Sequence, residues 1–230
     1  MSALIVQTSE NICLVGGAPV SKPTLDEALS HAPVLVAADG GAAQCLAAGY
    51  VPRAVIGDMD SLSENDRAHL DQGTIYQVAE QDSTDFDKAL RNLSSPVVVG
   101  VGFTGGRIDH ELAAYHTLLR RAEKACVLVG ETEIVFLCPP KAQLPTQEGD
   151  VVSLFPLVAC SGQSQGLQWP IDGLRLSPSD RIGTSNRATG AVHLSVDQAG
   201  LLVILPRRHL GPVVRSLAAV PPRARWPARA

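Results

Sequence analysis

Short runs of Val, Ile, Leu and Ala alternate with helix-like stretches through the first two-thirds of the chain, and this alternation restricts the fold more than any other feature. The runs are Ile12–Val15, Val34–Ala37, Ala54–Ile56, Thr74–Val78, Val97–Val101, Cys126–Val129 and Glu133–Leu137. They are continuous rather than alternating, the pattern of strands covered on both faces. Between them the sequence predicts helices near 24–30, 42–48, 64–71, 85–93 and 109–123. In the longest, Ile108, Leu112, Tyr115, Leu118 and Leu119 make one apolar stripe. Strands alternating with helices predict a mainly parallel, three-layer α/β domain.

The character changes near residue 140. Pro139 to Pro145 reads as a linker, and later strand candidates are short: Asp150–Pro156, Gln163–Trp169, Thr189–Val196 and Leu201–Leu205. Gly, Pro, Ser and Asp separate them, which predicts a small all-β sandwich or barrel. The expected organisation is therefore an α/β domain over 1–140, a β domain over 141–206 and an Arg/Pro-rich tail over 207–230. The tail carries Pro212, Pro221, Pro222 and Pro227 and is expected to be partly disordered or draped on the surface.

With 45% apolar residues and 18% charged, the chain can bury a core, and with only 4% aromatics that core is aliphatic. The net charge of −4 argues against nucleic acid as a partner. All the acids precede Arg207, and the six arginines from there on have no acidic neighbour in sequence. The five cysteines include no C-x-x-C and fall in apolar runs, so buried free thiols and a reducing compartment, the cytoplasm, are expected. The first residues lack a basic leader pattern, and no apolar run is long enough to predict a membrane span.

Chemistry-bearing residues follow the strands. Asp39-Gly40-Gly41 comes directly after the second run, where glycines let backbone N–H groups approach an anion. Gly57-Asp58-Met59-Asp60-Ser61 follows the third. In an extended segment Asp58 and Asp60 would point the same way and could present two carboxylates to one hard cation such as Mg²⁺. Gln81-Asp82-Ser83-Thr84-Asp85-Phe86-Asp87-Lys88 follows the fourth, with Asp82 as a candidate N-cap and Asp85 and Lys88 on one helix face. Gly102-Phe103-Thr104-Gly105-Gly106-Arg107-Ile108-Asp109-His110 joins a strand to a helix through glycines and a guanidinium, which suits a polyphosphate. Each cluster alone has an ordinary structural explanation. Three acidic clusters at one edge of a sheet are costly without a cation, and their convergence favours a metal site. In the C-terminal part, Trp169 could stack on a flat heteroaromatic ring while Thr184, Ser185 and Asn186 orient its polar atoms; a core Trp and a plain turn are the alternative.

Taken in order, these motifs resemble the thiamine pyrophosphokinase family: Asp39-Gly40-Gly41, Gly57-Asp58-Met59-Asp60-Ser61, the run Asp82 to Leu90, Gly105-Gly106-Arg107-Ile108-Asp109-His110, Gly166-Leu167-Gln168-Trp169-Pro170 and Gly183-Thr184-Ser185-Asn186. The resemblance covers roughly residues 11–206. Met59 stands where the family usually has Phe. The resemblance implies an enzyme that transfers a pyrophosphoryl group from ATP to the hydroxyl of thiamine with Mg²⁺ as cofactor. It implies Asp58, Asp60 and Asp85 as metal ligands, with Asp39, Gly40, Gly41, Lys88, Thr104, Gly105, Arg107 and His110 toward the nucleotide. Trp169, Thr184, Ser185 and Asn186 would contact thiamine, and Asp85 or Asp109, with Gln81, would orient the hydroxyl or accept its proton. It also implies a homodimer with active sites between subunits. A pyrophosphokinase for another hydroxymethyl heterocycle such as a pterin, and a non-catalytic nucleotide- or thiamine-binding regulator, are the alternative functions.

Overall fold

The computed structural model describes residues 4–228, which divide into two compact units. The first holds the chain up to Thr117 together with Leu128–Gly130. Its elements are β1 (Val6–Gln7), β2 (Ile12–Val15), α1 (Lys22–His31), β3 (Val34–Ala38), α2 (Gly41–Ala47), β4 (Ala54–Gly57), α3 (Glu64–Ala68), β5 (Ile75–Gln77), α4 (Asp85–Arg91), β6 (Leu93–Ser94), β7 (Val98–Val101) and the start of α5 (Ile108–Arg120).

The apolar runs become buried parallel strands as expected. Every residue of β2, β3, β4 and β7 is buried, and Ile12 is in register with both Val34 and Val98. The spatial order is β7-β2-β3-β4-β5. From β2 the chain winds outward through β3, β4 and β5, then returns to add β7 on the other side of β2. The carboxyl ends of β2 and β7 therefore flank the point where winding reverses, the place where open α/β sheets receive ligands. β1 and β6 form a separate two-stranded parallel ribbon.

Local chemistry sets the helix starts. Ser21 caps α1, its Oγ accepting from Thr24 N at 3.3 Å, and Pro23 lies in the first turn, where a missing N–H costs nothing. Gly41 opens α2 because nothing larger fits: a Cβ there would lie 2.0 Å from the carbonyl oxygen of Val15. This contact seats α2 on the end of β2.

The expected apolar stripe of α5 is only partly covered. Ala114, Thr117, Leu118 and Leu119 are buried, whereas Ile108 is 69% and Leu112 60% exposed. Periodicity says which side chains share a face and not how far a neighbouring layer extends over it.

The second unit holds Leu118–Val127 and the chain from Glu131 on. After β8 (Cys126–Val129) it contains β9 (Glu133–Leu137), β10 (Lys141–Leu144), β11 (Val151–Pro156), β12 (Cys160–Leu167), β13 (Arg175–Leu176), β14 (Gly183–Val196), β15 (Leu201–Pro206) and α6 (Leu210–Ala218). The order is β13-β12-β14-β11-β15-β9, with β10 beside β14, and these strands pair antiparallel.

Three sequence expectations change here. Glu133–Leu137, counted with the α/β domain, pairs antiparallel with β15. The supposed linker contains β10, because Lys141–Leu144 finds partners in the far half of β14. The first half of the tail is folded rather than draped: residues 207–209 make a 3₁₀ turn and α6 follows, with Leu210, Val213, Val214 and Leu217 buried at helical spacing, whereas none of residues 219–228 is buried. Pro212 falls in the first turn of α6, where a helix tolerates proline. Arg208 and His209 both reach the buried Asp150, His209 Nε2 lying 2.9 Å from Oδ2, which ties this segment to the turn before β11. Among the described residues no helix is long and apolar enough to cross a membrane.

Gly41→Ala is expected to destabilise the first unit by about 3 kcal/mol, the scale of an overpacked core contact, measured by urea unfolding. A loss below a few tenths would show that α2 does not depend on its close approach to β2.

Candidate active site

A cleft of about 690 Å³ opens in the first unit, lined among others by Gly16, Gly17, Asp39, Gly102, Phe103 and Arg107. It lies over the carboxyl ends of β2, β3 and β7, at the reversal point of the sheet. Gly16 and Gly17 were missed from the sequence. A Gly-Gly pair directly after a fully apolar strand was the available signal, the same one that drew notice to Gly40-Gly41. A Cβ on Gly17 would meet nothing within 4 Å, so the bare backbone there leaves room beside its own N–H rather than relieving a clash. Gly41 has the opposite role, buried against β2 rather than facing the cleft.

The aspartates converge, though in a different grouping from the expected one. Carboxylate oxygens of Asp39, Asp58 and Asp60 all lie within 4.8 Å of one another. Asp39 is buried at the end of β3 with φ +41°. Its Oδ2 accepts from Ser61 N at 3.1 Å, while its buried Oδ1 has no hydrogen-bond partner. Burial pushes the Asp39 carboxyl above the usual carboxylate range against the opposing bond from Ser61, and the negative Asp85 adds to the rise. The segment carrying Asp58 and Asp60 is not extended. Met59 sits at φ +71° with its side chain buried, so a turn rather than strand alternation brings the two acids together. Asp58 Oδ1 accepts from Asp60 N at 3.3 Å, and Ser61 Oγ donates to Asp60 Oδ1 at 2.9 Å, closing the turn.

Asp85 falls outside that trio and belongs to an ion-pair set. Lys88 Nζ lies 2.7 Å from Asp58 Oδ2 and 3.1 Å from Asp85 Oδ1, with the lysine side chain almost fully enclosed. Burial alone would depress the Lys88 pKa, but the bonds to Asp58 and Asp85 outweigh it and the net shift is upward. The same contact holds the Asp58 carboxyl below its usual range. Lys88, expected toward the polyphosphate, is engaged here by carboxylates. Gln81 Nε2 reaches Asp58 Oδ2 at 3.5 Å. The helix cap also moves: α4 begins at Asp85, so Thr84, not Asp82, caps it, its Oγ1 accepting from Asp87 N at 3.3 Å, while Asp82 N donates to Glu80 Oε2 at 2.8 Å in the preceding turn. Arg91 holds Glu80 in turn at 2.8 Å.

At the β7–α5 junction Arg107 and Asp109 form a bidentate pair, Nε–Oδ1 3.1 Å and Nη2–Oδ2 2.6 Å. That bond keeps the Asp109 carboxyl low. Gly105 N donates to Glu111 Oε2 at 3.0 Å, and Thr104 Oγ1 to Val129 O at 3.4 Å. Gly40 and His110 also line the cleft.

In the second unit Trp169 is 55% exposed. Thr184 and Ser185 are exposed and lie within β14 rather than in a free turn, with Ser185 at φ +61°. Asn186 is buried, its amide bonded to the backbone of Trp169.

A doubly wound α/β unit with a glycine-lined cleft at its reversal point and aspartates converging beside it is the architecture of an enzyme that handles anionic, phosphate-bearing substrates. Comparison with known proteins makes this particular. Residues 25–129 match the thiamin pyrophosphokinase catalytic domain and residues 138–201 the thiamin pyrophosphokinase vitamin B1 binding domain. The chain is 28% identical over 181 residues to thiamine pyrophosphokinase 3 of Oryza sativa subsp. japonica, covering 70% of this chain and 68% of that one. It is 32% identical over 119 residues to thiamine pyrophosphokinase of Bacillus subtilis (strain 168), covering 48% and 55%. The solved structure of thiamin pyrophosphokinase from Candida albicans shares the fold, with a TM-score of 0.74 at 15% identity over 87% of this chain and 92% of that one. The chain belongs to the thiamine pyrophosphokinase family and is an enzyme of thiamine pyrophosphorylation.

The ion-pair set has a defined pH signature. The folded-state pKa of Asp58 lies below its unfolded value, so the stability it carries is complete above the unfolded value and is lost as pH falls through the folded one. Asp39 has the opposite sign: its raised pKa means that folding is opposed as pH rises through the usual carboxylate range. Lys88→Met is expected to cost about 3 kcal/mol at neutral pH, the scale of a broken buried pair, and less in acid, as read from urea unfolding at a series of pH values. The same loss at every pH would remove the pair as its origin.

Proposed function

We propose that this chain transfers the pyrophosphoryl group of ATP to the hydroxyl of thiamine, working as a homodimer in the cytoplasm. The observation that carries the site assignment is the trio Asp39, Asp58 and Asp60 beside the glycine-lined cleft, with Asp39 Oδ1 buried and without a partner. Three clustered carboxylates, one of them carrying a buried oxygen without a hydrogen-bond partner, are a donor set that fits a hard divalent cation. Mg²⁺ would be held by Asp39, Asp58 and Asp60, with Asp85 alongside, and when bound it neutralises phosphate charge.

The chain's own groups do the rest. The open backbone at Gly17 leaves space for the polyphosphate, with Gly40 and His110 also lining the cleft and Thr104 and the uncrowded Gly105 in the loop that leads to it. Arg107 and Lys88 are cations that phosphate oxygens can draw from their present carboxylate partners. The thiamine hydroxyl attacks the β-phosphorus in line, the bond to the α-phosphate oxygen breaks, and AMP leaves. We assign the hydroxyl proton to Asp85, which lines the cleft where Asp109 does not; Gln81 orients the hydroxyl. Alignment and preorganised charge supply most of the acceleration. Trp169 offers its exposed indole to the thiamine ring, with Thr184 and Ser185 near its polar atoms. The exposed Ile108 and Leu112 support a second copy as partner, and five buried free thiols support a reducing compartment.

The test is an assay of AMP release with ATP, Mg²⁺ and thiamine, run beside a hydroxymethyl pterin. Asp58→Asn is expected to lower kcat by at least about a hundredfold. Near-normal AMP release would sink the carboxylate assignment. Gly17→Ala is expected to leave stability within about 0.5 kcal/mol of the parent while raising the KM for ATP severalfold, because its methyl group enters open space in the cleft. An unchanged KM for ATP would remove Gly17 from the phosphate site.

A further inference from the structure

We infer that Asn186 is a positioning residue for Trp169: it holds the backbone of the tryptophan and so sets how the exposed indole meets the thiamine ring. This rests on the reading of Trp169 as the surface on which thiamine stacks. Asn186 is buried, and its side chain is committed to the main chain at both ends. Oδ1 accepts from Trp169 N at 3.2 Å and from Arg187 N at 2.8 Å, and Nδ2 donates to Trp169 O at 2.7 Å. One amide therefore clasps both polar groups of residue 169. The preceding residue is pinned as well, Gln168 N donating to Arg187 O at 2.8 Å, and Pro170 restricts the Trp169 backbone from the other side.

The strand is shaped to make this clasp. β11 and β14 pair Val152 with Asn186 and Leu154 with Gly183, so the register slips between them. Ser185 lies in that irregularity at φ +61°, and its N–H is satisfied by Ser153 Oγ at 2.9 Å. A bulge re-aims the residue beside it. Here Asn186 goes inward to the Trp169 backbone while Thr184 and Ser185 remain outside. An Asn placed merely to satisfy buried backbone groups would contribute stability without governing the ring. A residue that touches thiamine itself would act independently of the ring.

The experiment uses the full chain carrying Trp226→Phe, which leaves Trp169 as its sole tryptophan. Asn186→Ala is expected to lower the fluorescence anisotropy of Trp169 and to raise the KM for thiamine about tenfold, the scale of one aromatic stacking contact, with kcat and the KM for ATP little changed. Adding Asn186→Ala to Trp169→Ala is expected to raise the KM for thiamine no further, since both changes remove the same interaction. Asn186→Asp keeps the acceptor and loses the donor. It should move both readouts in the same direction by less, and it carries the same cycle if the alanine variant does not fold. Unchanged anisotropy, or losses in KM that add in the double variant, would overturn the assignment. If Trp169→Ala itself leaves the KM for thiamine unchanged, the stacking reading fails, and the anisotropy still decides whether Asn186 holds the tryptophan.

Discussion

The buried ammonium of Lys88 is the contact on which the first unit's chemistry depends. An isolated charge in that position would cost several kcal/mol, and it is tolerated because Asp58 and Asp85 lie within 3.1 Å. The same contact joins the turn after β4 to the first turn of α4. It also offsets part of the repulsion among carboxylates that would otherwise separate. The offset is incomplete, because the Asp39 and Asp60 carboxylates gather beside Asp58, and the Asp39 carboxyl is raised chiefly by its burial and further by the charge of Asp85. The excess negative charge is the basis on which the site is proposed to receive a cation.

Sheet topology determines where that charge lies. Winding reverses beside β2, so no helix covers the carboxyl ends of β2 and β7 from both sides, and a cleft is left there. Two glycine pairs serve this place by different physics. Gly41 allows α2 to approach β2 more closely than any side chain would permit. Gly17 has no crowding neighbour at all and keeps the cleft floor clear. The two uses look the same as letters in a sequence and separate only when the surrounding atoms are known.

In the second unit, β14 does several jobs through one irregular strand. Its early part pairs with β11 and carries Thr184, Ser185 and Asn186, and its later part pairs with β10 and β12. The left-handed Ser185 marks where regular alternation gives way to the clasp on Trp169. The backbone under an exposed aromatic ring is thus held by a buried amide of the neighbouring strand.

The sequence by itself determined the parallel β/α order and the placing of acids at strand ends, because continuous apolar runs and acid-rich strand ends are local signals that burial and charge impose directly; the family was legible only through the resemblance of the ordered motifs, Trp169 and Thr184-Ser185-Asn186 above all. Asp39, Asp58, Asp60 and Asp85 were all legible in this way. Tertiary structure alone decided which of them bring their oxygens together, since the clustering of Asp39 with Asp58 and Asp60 and the salt bridges of Lys88 depend on contacts between segments far apart in the chain. It also decided that Arg207–Ala218 folds as a turn and helix, because Pro212 falls where a first helical turn accepts it, Pro221, Pro222 and Pro227 lie beyond the helix, and the covering apolar surface comes from elsewhere. Asn186 shows the same limit: its residue type announced a polar role, but only the partners at hydrogen-bonding distance reveal that the role is toward the protein's own backbone.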